Sequence, residues 1–306
     1  MAVQTYMRPG TVADPGGHSS TPADEPVRLA TVLAVVNQKG GVGKTTTTTN
    51  LGAALAEKKR RVLLVDLDPQ GNLTNALGLP LEYPFAYDLL LGNMPAAQMR
   101  RSVADASLRI RKSSRAQPPV IDILPGIGDL AGLEVELSDA EEKDRRLWRA
   151  LQPIMADYDY ILVDCPPSLG TLTLNALLAA HGVVAPVQCE YLALKGFMQL
   201  TETIRLVQEA LNPQLRRVFL VMTMYARTLL AQNVVDDARD QFPHYFMPTL
   251  IPRTTRLGEA PSYGQSILRY DSSGRGAESY RSLANDVDSR IRRDLRAGAT
   301  GPTGAA

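Results

Sequence analysis

The sequence predicts a doubly wound α/β fold, one domain built on a mostly parallel sheet covered on both faces. Two observations carry this. Short runs that are apolar throughout, rather than alternating, recur along the chain at Val32–Val36, Val62–Val65, Ile121–Leu124, Tyr160–Val163, Val183–Val187, Val218–Met222 and Thr249–Ile251. Such runs suit strands buried on both faces, and helix-length segments between them supply the crossovers that parallel pairing needs. No internal repeat is evident, and 306 residues with 44% hydrophobic content suffice for a single sizeable core.

The elements follow in order. Residues 1–28, rich in Pro, Gly, Ser and Thr, read as a flexible tail with no apolar stretch of signal-peptide length. The ordered domain is expected over 29–296. Its first strand leads into a glycine-rich turn and a helix from Lys44 to about Lys58, with Leu51, Ala54 and Leu55 on one face. Residues 104–120, basic and ending in Pro118-Pro119, read as a surface loop. A last helix is expected from Glu278 to Arg296, and 297–306 as a low-complexity tail. Thirty-three basic residues against 32 acidic give no bulk signature of nucleic-acid binding, so any such contact must be a local patch. Cys165 and Cys189 have no ligand-like spacing, and the three histidines are scattered, which argues against a disulfide framework or a zinc site. A reducing, cytoplasmic setting is expected.

The chemistry begins after the first strand, at Gln38-Lys39-Gly40-Gly41-Val42-Gly43-Lys44-Thr45-Thr46. Gly43-Lys44-Thr45 satisfies the end of the phosphate-binding pattern G-x-x-x-x-G-K-[ST] between strand and helix, although Gln38 stands at the first glycine position. Glycines let backbone N–H groups converge on phosphate oxygens at a helix N-terminus. Lys44 is expected to neutralise the β- and γ-phosphates, and the Thr45 hydroxyl to ligate Mg²⁺. Thr47, Thr48 and Thr49 read as helix positions without chemistry. The second strand ends in Asp66-Leu67-Asp68, and ligands bind at strand C-termini in open parallel sheets. Another strand ends in Asp164, the arrangement in which a carboxylate holds Mg²⁺, usually through its water shell. Cys165 beside it reads as a packing residue.

Lys39-Gly40-Gly41-Val42-Gly43-Lys44-Thr45-Thr46 resembles the deviant Walker A motif of the ParA/MinD/Soj class of P-loop ATPases. DLDPQGN at 66–72 and DCPPS at 164–168 resemble the switch segments of that class. The resemblance implies ATP and Mg²⁺ as cofactors, with Lys39 to Thr46 around the phosphates. It implies that Asp68 orients the attacking water near the metal, completing a set with Thr45 and Asp164, while Asp66 supports. It also implies that Lys39 reaches the nucleotide of a second subunit, so that ATP assembles a homodimer.

Within the class, Thr223-Met224-Tyr225-Ala226-Arg227-Thr228 and the segment IPRTTRLGEAPSYG at 251–264 resemble the ParA/Soj partition branch; the first lacks one Asp of that branch's pattern, and Thr254-Thr255 replace its commoner Asn-Val. The branch implies Pro252 and Thr254 at the adenine, Arg227 and Arg256 on non-specific double-stranded DNA, a ParB-like centromere-binding partner and nucleoid association. Two other members of the class stay in view: a MinD-like membrane-associated regulator and an ATPase positioning a non-DNA cargo. The last helix bears on the former, since Leu283, Val287, Ile291 and Leu295 recur at helical spacing beside Arg290, Arg292, Arg293 and Arg296. It has no Trp or Phe, and its aspartates dilute the charge, so packing on its own domain and no stable membrane association are expected.

Overall fold

The computed structural model describes residues 29–80, 86–103, 121–126 and 143–299. The expected tail 1–28, the loop 104–120 and the end of the chain from 300 lie outside them. Seven strands are present: β1 (Thr31–Val35), β2 (Val62–Asp66), β3 (Arg101–Ser102), β4 (Ile121–Leu124), β5 (Tyr160–Asp164), β6 (Gly182–Gln188) and β7 (Arg217–Thr223). They form one sheet in the order β3-β4-β2-β5-β1-β6-β7. Every pairing is parallel except β3 with β4.

The helices used below are α1 (Lys44–Glu57), α2 (Asn72–Ala76), α3 (Ala86–Leu91), α4 (Ala96–Met99), α5 (Arg146–Leu151), α6 (Thr171–Ala179), α7 (Ala193–Ala210), α8 (Leu229–Gln241), α9 (Thr255–Glu259), α10 (Ile267–Tyr270) and α11 (Arg275–Ala299). They cover both faces, and the strand period of two explains how. Val32 and Ala34, Leu63 and Val65, and Ile161 and Val163 point into the core shared with Leu147, Ala176, Phe197 and Val234 of α5 to α8. Their neighbours Leu33 and Val35, Val62 and Leu64, and Tyr160 and Leu162 point into the core shared with α1 and α11. Strands apolar at every position are what two covered faces require. Gly52 lets α1 lie close on the sheet, since a Cβ there would come within 2.7 Å of Leu64 Cδ2.

Two strand expectations change. Thr249–Ile251 forms no strand: Ile251 N–H donates to Met222 O and its carbonyl accepts from Tyr225 N–H, leaving a single bridge of Tyr225 with Pro252. The apolar Ile251 reflects burial under the sheet edge, not a ladder. The two-residue β3 was not foreseen. Arg-Ser offers no apolar signal, and Asp122 holds the edge by accepting from Ser102 Oγ at 2.6 Å. Helix α11 runs from Arg275 to Ala299, beyond the expected span at both ends. Its Leu283, Val287 and Ile291 are fully buried against α1 and the sheet, so these three positions of the apolar stripe pack on the domain itself. No helix among the described residues is long and apolar enough to cross a membrane.

Candidate active site

The strand C-termini bring the expected groups together. The loop between β1 and α1 is shaped by Gly41 and Gly43, with φ of 72° and 93°, backbone angles that side chains with a Cβ adopt only at a cost. Its curvature is braced from β6 and β7. Gln188 Nε2 donates to Gly41 O at 3.0 Å, and Thr223 Oγ1 donates to Val42 O at 2.9 Å. Asn37 completes the brace, accepting from Lys39 N–H at 2.9 Å and donating to Pro186 O at 2.7 Å. Of these three residues the sequence reading quoted only Thr223, and not for this role.

The two lysines of the loop occupy opposite environments. Lys44 is buried at the mouth of α1, its ammonium 3.3 Å from Lys39 O. Burial holds its pKa below the usual lysine value, with Asp164 and Asp68 pulling the other way. Lys39 lies on the rim with its side chain half exposed, and its ammonium rests on Glu190 Oε2 at 2.6 Å and Gln188 Oε1 at 3.1 Å.

Asp164 ends β5 fully buried, and two hydroxyls of α1 hold it: Thr45 Oγ1 donates to Oδ2 at 2.7 Å and Thr48 Oγ1 to Oδ1 at 3.1 Å. Thr48, read from the sequence as a plain helix position, therefore belongs to the site. The signal was present, because three residues after Thr45 it shares the same helix face. Thr47 meets the Tyr280 hydroxyl at 3.3 Å instead. Desolvation, reinforced by the charges of Asp66 and Asp68, pushes the Asp164 carboxyl up to about 8, against the lowering effect of the two threonines.

Asp66 faces Asp164 across the β2–β5 register. It accepts three hydrogen bonds, from Thr74 N–H at 2.9 Å, Thr74 Oγ1 at 2.7 Å and Asp68 N–H at 3.2 Å. Burial raises it to about 6 despite those donors. It fixes the turn that carries Asp68 back to the loop. Asp68 in turn accepts from Gln70 N–H at 3.0 Å, and Gly71, with φ 60°, starts α2. Gly126 abuts this turn so closely that a Cβ would lie 2.5 Å from Asp66 Cγ. Cys165 is buried, its thiol raised well above the usual value by desolvation, which suits a packing residue.

Beside Gly43 opens a cavity of about 270 Å³ lined by Val42, Thr46, Met224, Pro252, Thr254 and Tyr280, among others. Pro252 and Thr254 thus share this cavity with Val42 and Gly43 of the loop. The Thr254 hydroxyl caps α9, accepting from Arg256 N–H at 3.3 Å, so it lines the cavity while engaged elsewhere.

Whether this site suits a nucleoside triphosphate with Mg²⁺ can be judged from its donors. Positive-φ glycines at the N-terminus of a 14-residue helix, a buried ammonium, a hydroxyl–carboxylate pair at 2.7 Å and a partly apolar cavity of base size fit phosphates, a hard cation and a nucleobase respectively.

The segments carrying Arg227 and Arg256 meet beside the cavity, where Tyr225 N–H donates to Ile251 O and Arg253 N–H to Tyr225 O, both at 2.9 Å. Arg227 is exposed and without a hydrogen bond or ion pair among the described residues. Arg256 is exposed too, 3.3 Å from Glu259 Oε2 and 5.7 Å above the Tyr270 ring.

Comparisons with known proteins identify the family. A family model described as an AAA domain matches residues 30–217. Sporulation initiation inhibitor protein Soj of Bacillus subtilis is 45% identical over 262 residues, covering 85% of this chain and 98% of that protein. Chromosome-partitioning ATPase Soj of Thermus thermophilus is also 45% identical, over 85% of this chain and 96% of the relative. Among solved structures, cobyrinic acid a,c-diamide synthase from Mycobacterium smegmatis with bound ADP and magnesium aligns with a TM-score of 0.70 at 36% identity, over 91% of this chain and all of that one. The septum site-determining protein MinD of Pyrococcus horikoshii, complexed with Mg-ADP, aligns with a TM-score of 0.66 at 25% identity, over 86% of this chain and 98% of that one. The chain belongs to the ParA/Soj family of chromosome-partitioning ATPases.

Proposed function

We infer that the protein is an ATP-switched dimer that holds DNA while ATP is bound and lets go on hydrolysis. ATP lies along the loop from Lys39 to Thr46, with its base against Pro252 and Thr254. Thr45, Asp164 and Asp68 would hold Mg²⁺, which would supply neutralisation of phosphate charge. Lys44, desolvated and pre-placed, stabilises charge developing toward the leaving group. Asp68 orients the attacking water, and Asp66 keeps Asp68 in place by accepting from its N–H.

The observation that carries the switch is the contrast between the two lysines. Lys44 is buried in its own site, whereas Lys39 sits on the rim, held by an exposed ion pair of the kind worth ~1 kcal/mol or less. A cation so lightly tethered is free to cross to a second subunit's phosphates. Arg227 and Arg256, on two segments joined by backbone hydrogen bonds beside the base cavity, are placed to respond when ATP assembles the dimer. Phosphate contacts of this kind give binding without sequence preference and a steep salt dependence. A ParB-like protein that binds centromeric DNA is the partner that triggers hydrolysis. Against a membrane role, Leu283, Val287 and Ile291 of α11 are buried on the domain itself.

The test is binding to random-sequence duplex and to anionic vesicles, with ATP and with ADP, at two salt concentrations. The proposal expects ATP to tighten DNA binding and Arg256→Glu to remove that increment. ATP-dependent vesicle binding with no ATP effect on DNA would refute it in favour of a membrane regulator. No ATP effect on either would leave a different cargo as the reading.

A further inference from the structure

Gln188 ends β6 and is buried, yet both ends of its carboxamide are engaged at the nucleotide site. Nε2 donates to Gly41 O at 3.0 Å and, at 3.1 Å, to the sulfur of Met224 on the rim of the base cavity. Oε1 accepts from the Lys39 ammonium at 3.1 Å. The amide can face only this way, because a carbonyl needs a donor and an ammonium needs an acceptor. One side chain therefore touches the backbone of the phosphate loop and the cation on its rim.

The backbone fixes where that side chain stands. Gln188 pairs with Thr223 at the last register position of β6 and β7, and Cys189 N–H donates to Thr223 O at 3.1 Å. Glu190 N–H then donates back to Gln188 O at 2.8 Å, a three-residue turn that doubles the chain on itself. Its carboxylate thereby reaches the same ammonium, at 2.6 Å. Lys39 rests between a buried neutral acceptor and an exposed charged one. Residue chemistry limits what could replace the first of these. A leucine would serve neither neighbour. A glutamate would hold Lys39 more tightly but set a carboxylate against Gly41 O, where a donor is needed. Only an amide offers both polarities from one side chain.

We infer that Gln188 is a positioning residue with two separable jobs, one at each end of its amide. Through Nε2 it holds the Gly41 carbonyl away from the phosphates, so that the amides of the loop face them, which sets nucleotide affinity. Through Oε1 it holds Lys39 on its own subunit, which opposes dimerisation. The second job rests on the reading of Lys39 as the cation that crosses to a second subunit; the first does not.

The test places each substitution in the full chain carrying Asp68→Ala, whose slow turnover preserves the ATP state. Titration calorimetry gives the affinity for Mg-ADP, and sedimentation velocity gives the dimerisation constant at saturating Mg-ATP. Gln188→Leu should weaken ADP binding about two- to tenfold, the worth of one hydrogen bond, and yet raise the dimerisation constant about two- to fivefold. Gln188→Glu should weaken ADP binding as well but lower the dimerisation constant at least twofold, because Lys39 then lies between two carboxylates. Thr223→Val frees Val42 O without touching Lys39, so it should weaken ADP binding and leave the dimerisation constant unchanged. A merely structural Gln188 would move dimerisation the same way in both of its variants, and that result overturns the inference. So does a Thr223→Val protein that dimerises more tightly, as Gln188→Leu should, since slackening of the loop would then be the cause. Unchanged ADP affinity in both Gln188 variants overturns the loop half. An Asp68→Ala parent that stays monomeric with ATP refutes the dimer reading and the Lys39 half together, while the ADP affinities still decide the rest.

Discussion

The buried carboxylate at the end of β5 predicts an unusual dependence of stability on pH. Asp164 is fully buried and its carboxyl is raised from 3.8 to about 8. Between those values the folded chain keeps a proton that the unfolded chain has released, so stability falls as pH rises through this window. A group at about 8 should cost the nucleotide-free protein about 2 kcal/mol between pH 6 and 8. For a domain of this size that is roughly 4–8 °C in Tm. Asp164→Asn carries no charge at any of these pH values and should remove most of the slope. The comparison is best made as a difference between variant and parent, because half-buried His181, its pKa lowered by desolvation and by Arg217, contributes with the opposite sign in both proteins. The assay is thermal unfolding in EDTA at pH 6, 7 and 8. Parent and variant losing stability in parallel would show that Asp164 does not carry the proton, and the reasoning about its burial would fail.

Further predictions concern neighbouring residues. Thr48→Val keeps the shape but removes the donor 3.1 Å from Asp164, and should cost about 1–3 kcal/mol in urea unfolding at pH 8.5, with Thr48→Ser restoring most of it. Equal stability of the two variants would place Thr48 outside the site. Gly126→Ala forces a methyl group to 2.5 Å from Asp66 Cγ, and should lower stability by about 1–3 kcal/mol and slow hydrolysis through displacement of Asp68. Unchanged unfolding and turnover would mean the turn has room that the geometry denies. Glu190→Gln weakens the resting contact of Lys39 at 2.6 Å and should increase the dimer fraction at limiting ATP about two- to fivefold, reflecting the ~1 kcal/mol or less such a pair is worth. A smaller dimer fraction, measured by sedimentation, would show that Glu190 helps assembly instead of competing with it.

Most of the scaffold was legible because a strand buried on both faces must be apolar at every position, as at Val62–Val65 and Val183–Val187. That criterion misfired at Thr249–Ile251, where burial comes from packing at the sheet edge, and it was blind to Arg101–Ser102, held by hydrogen bonds alone. In the site, the phosphate loop was legible because its chemistry is local: glycines, lysine and threonine must be consecutive. The brace was not. Gln188 and Thr223 lie 147 and 181 residues from the carbonyls they hold, and nothing in their own neighbourhoods signals that role. Thr48 falls between these cases, since its helix face was readable but the depth of Asp164 beneath it was not. The surroundings of Asp288 were hidden for another reason: Lys58, Arg60 and Arg292 read as ordinary surface charges until the fold brings them to its carboxylate.

The central claim is a switch in which ATP makes a dimer through Lys39 and Asp68 ends it. Sedimentation velocity of the Asp68→Ala protein with Mg²⁺ and either ATP or ADP tests this most directly, because slow turnover should preserve the ATP state. Sedimenting mass should double with ATP and not with ADP, and the ATP-dependent dimer should be lost when Lys39→Ala is added. A protein that stays monomeric with ATP, or that dimerises equally with ADP, would contradict it.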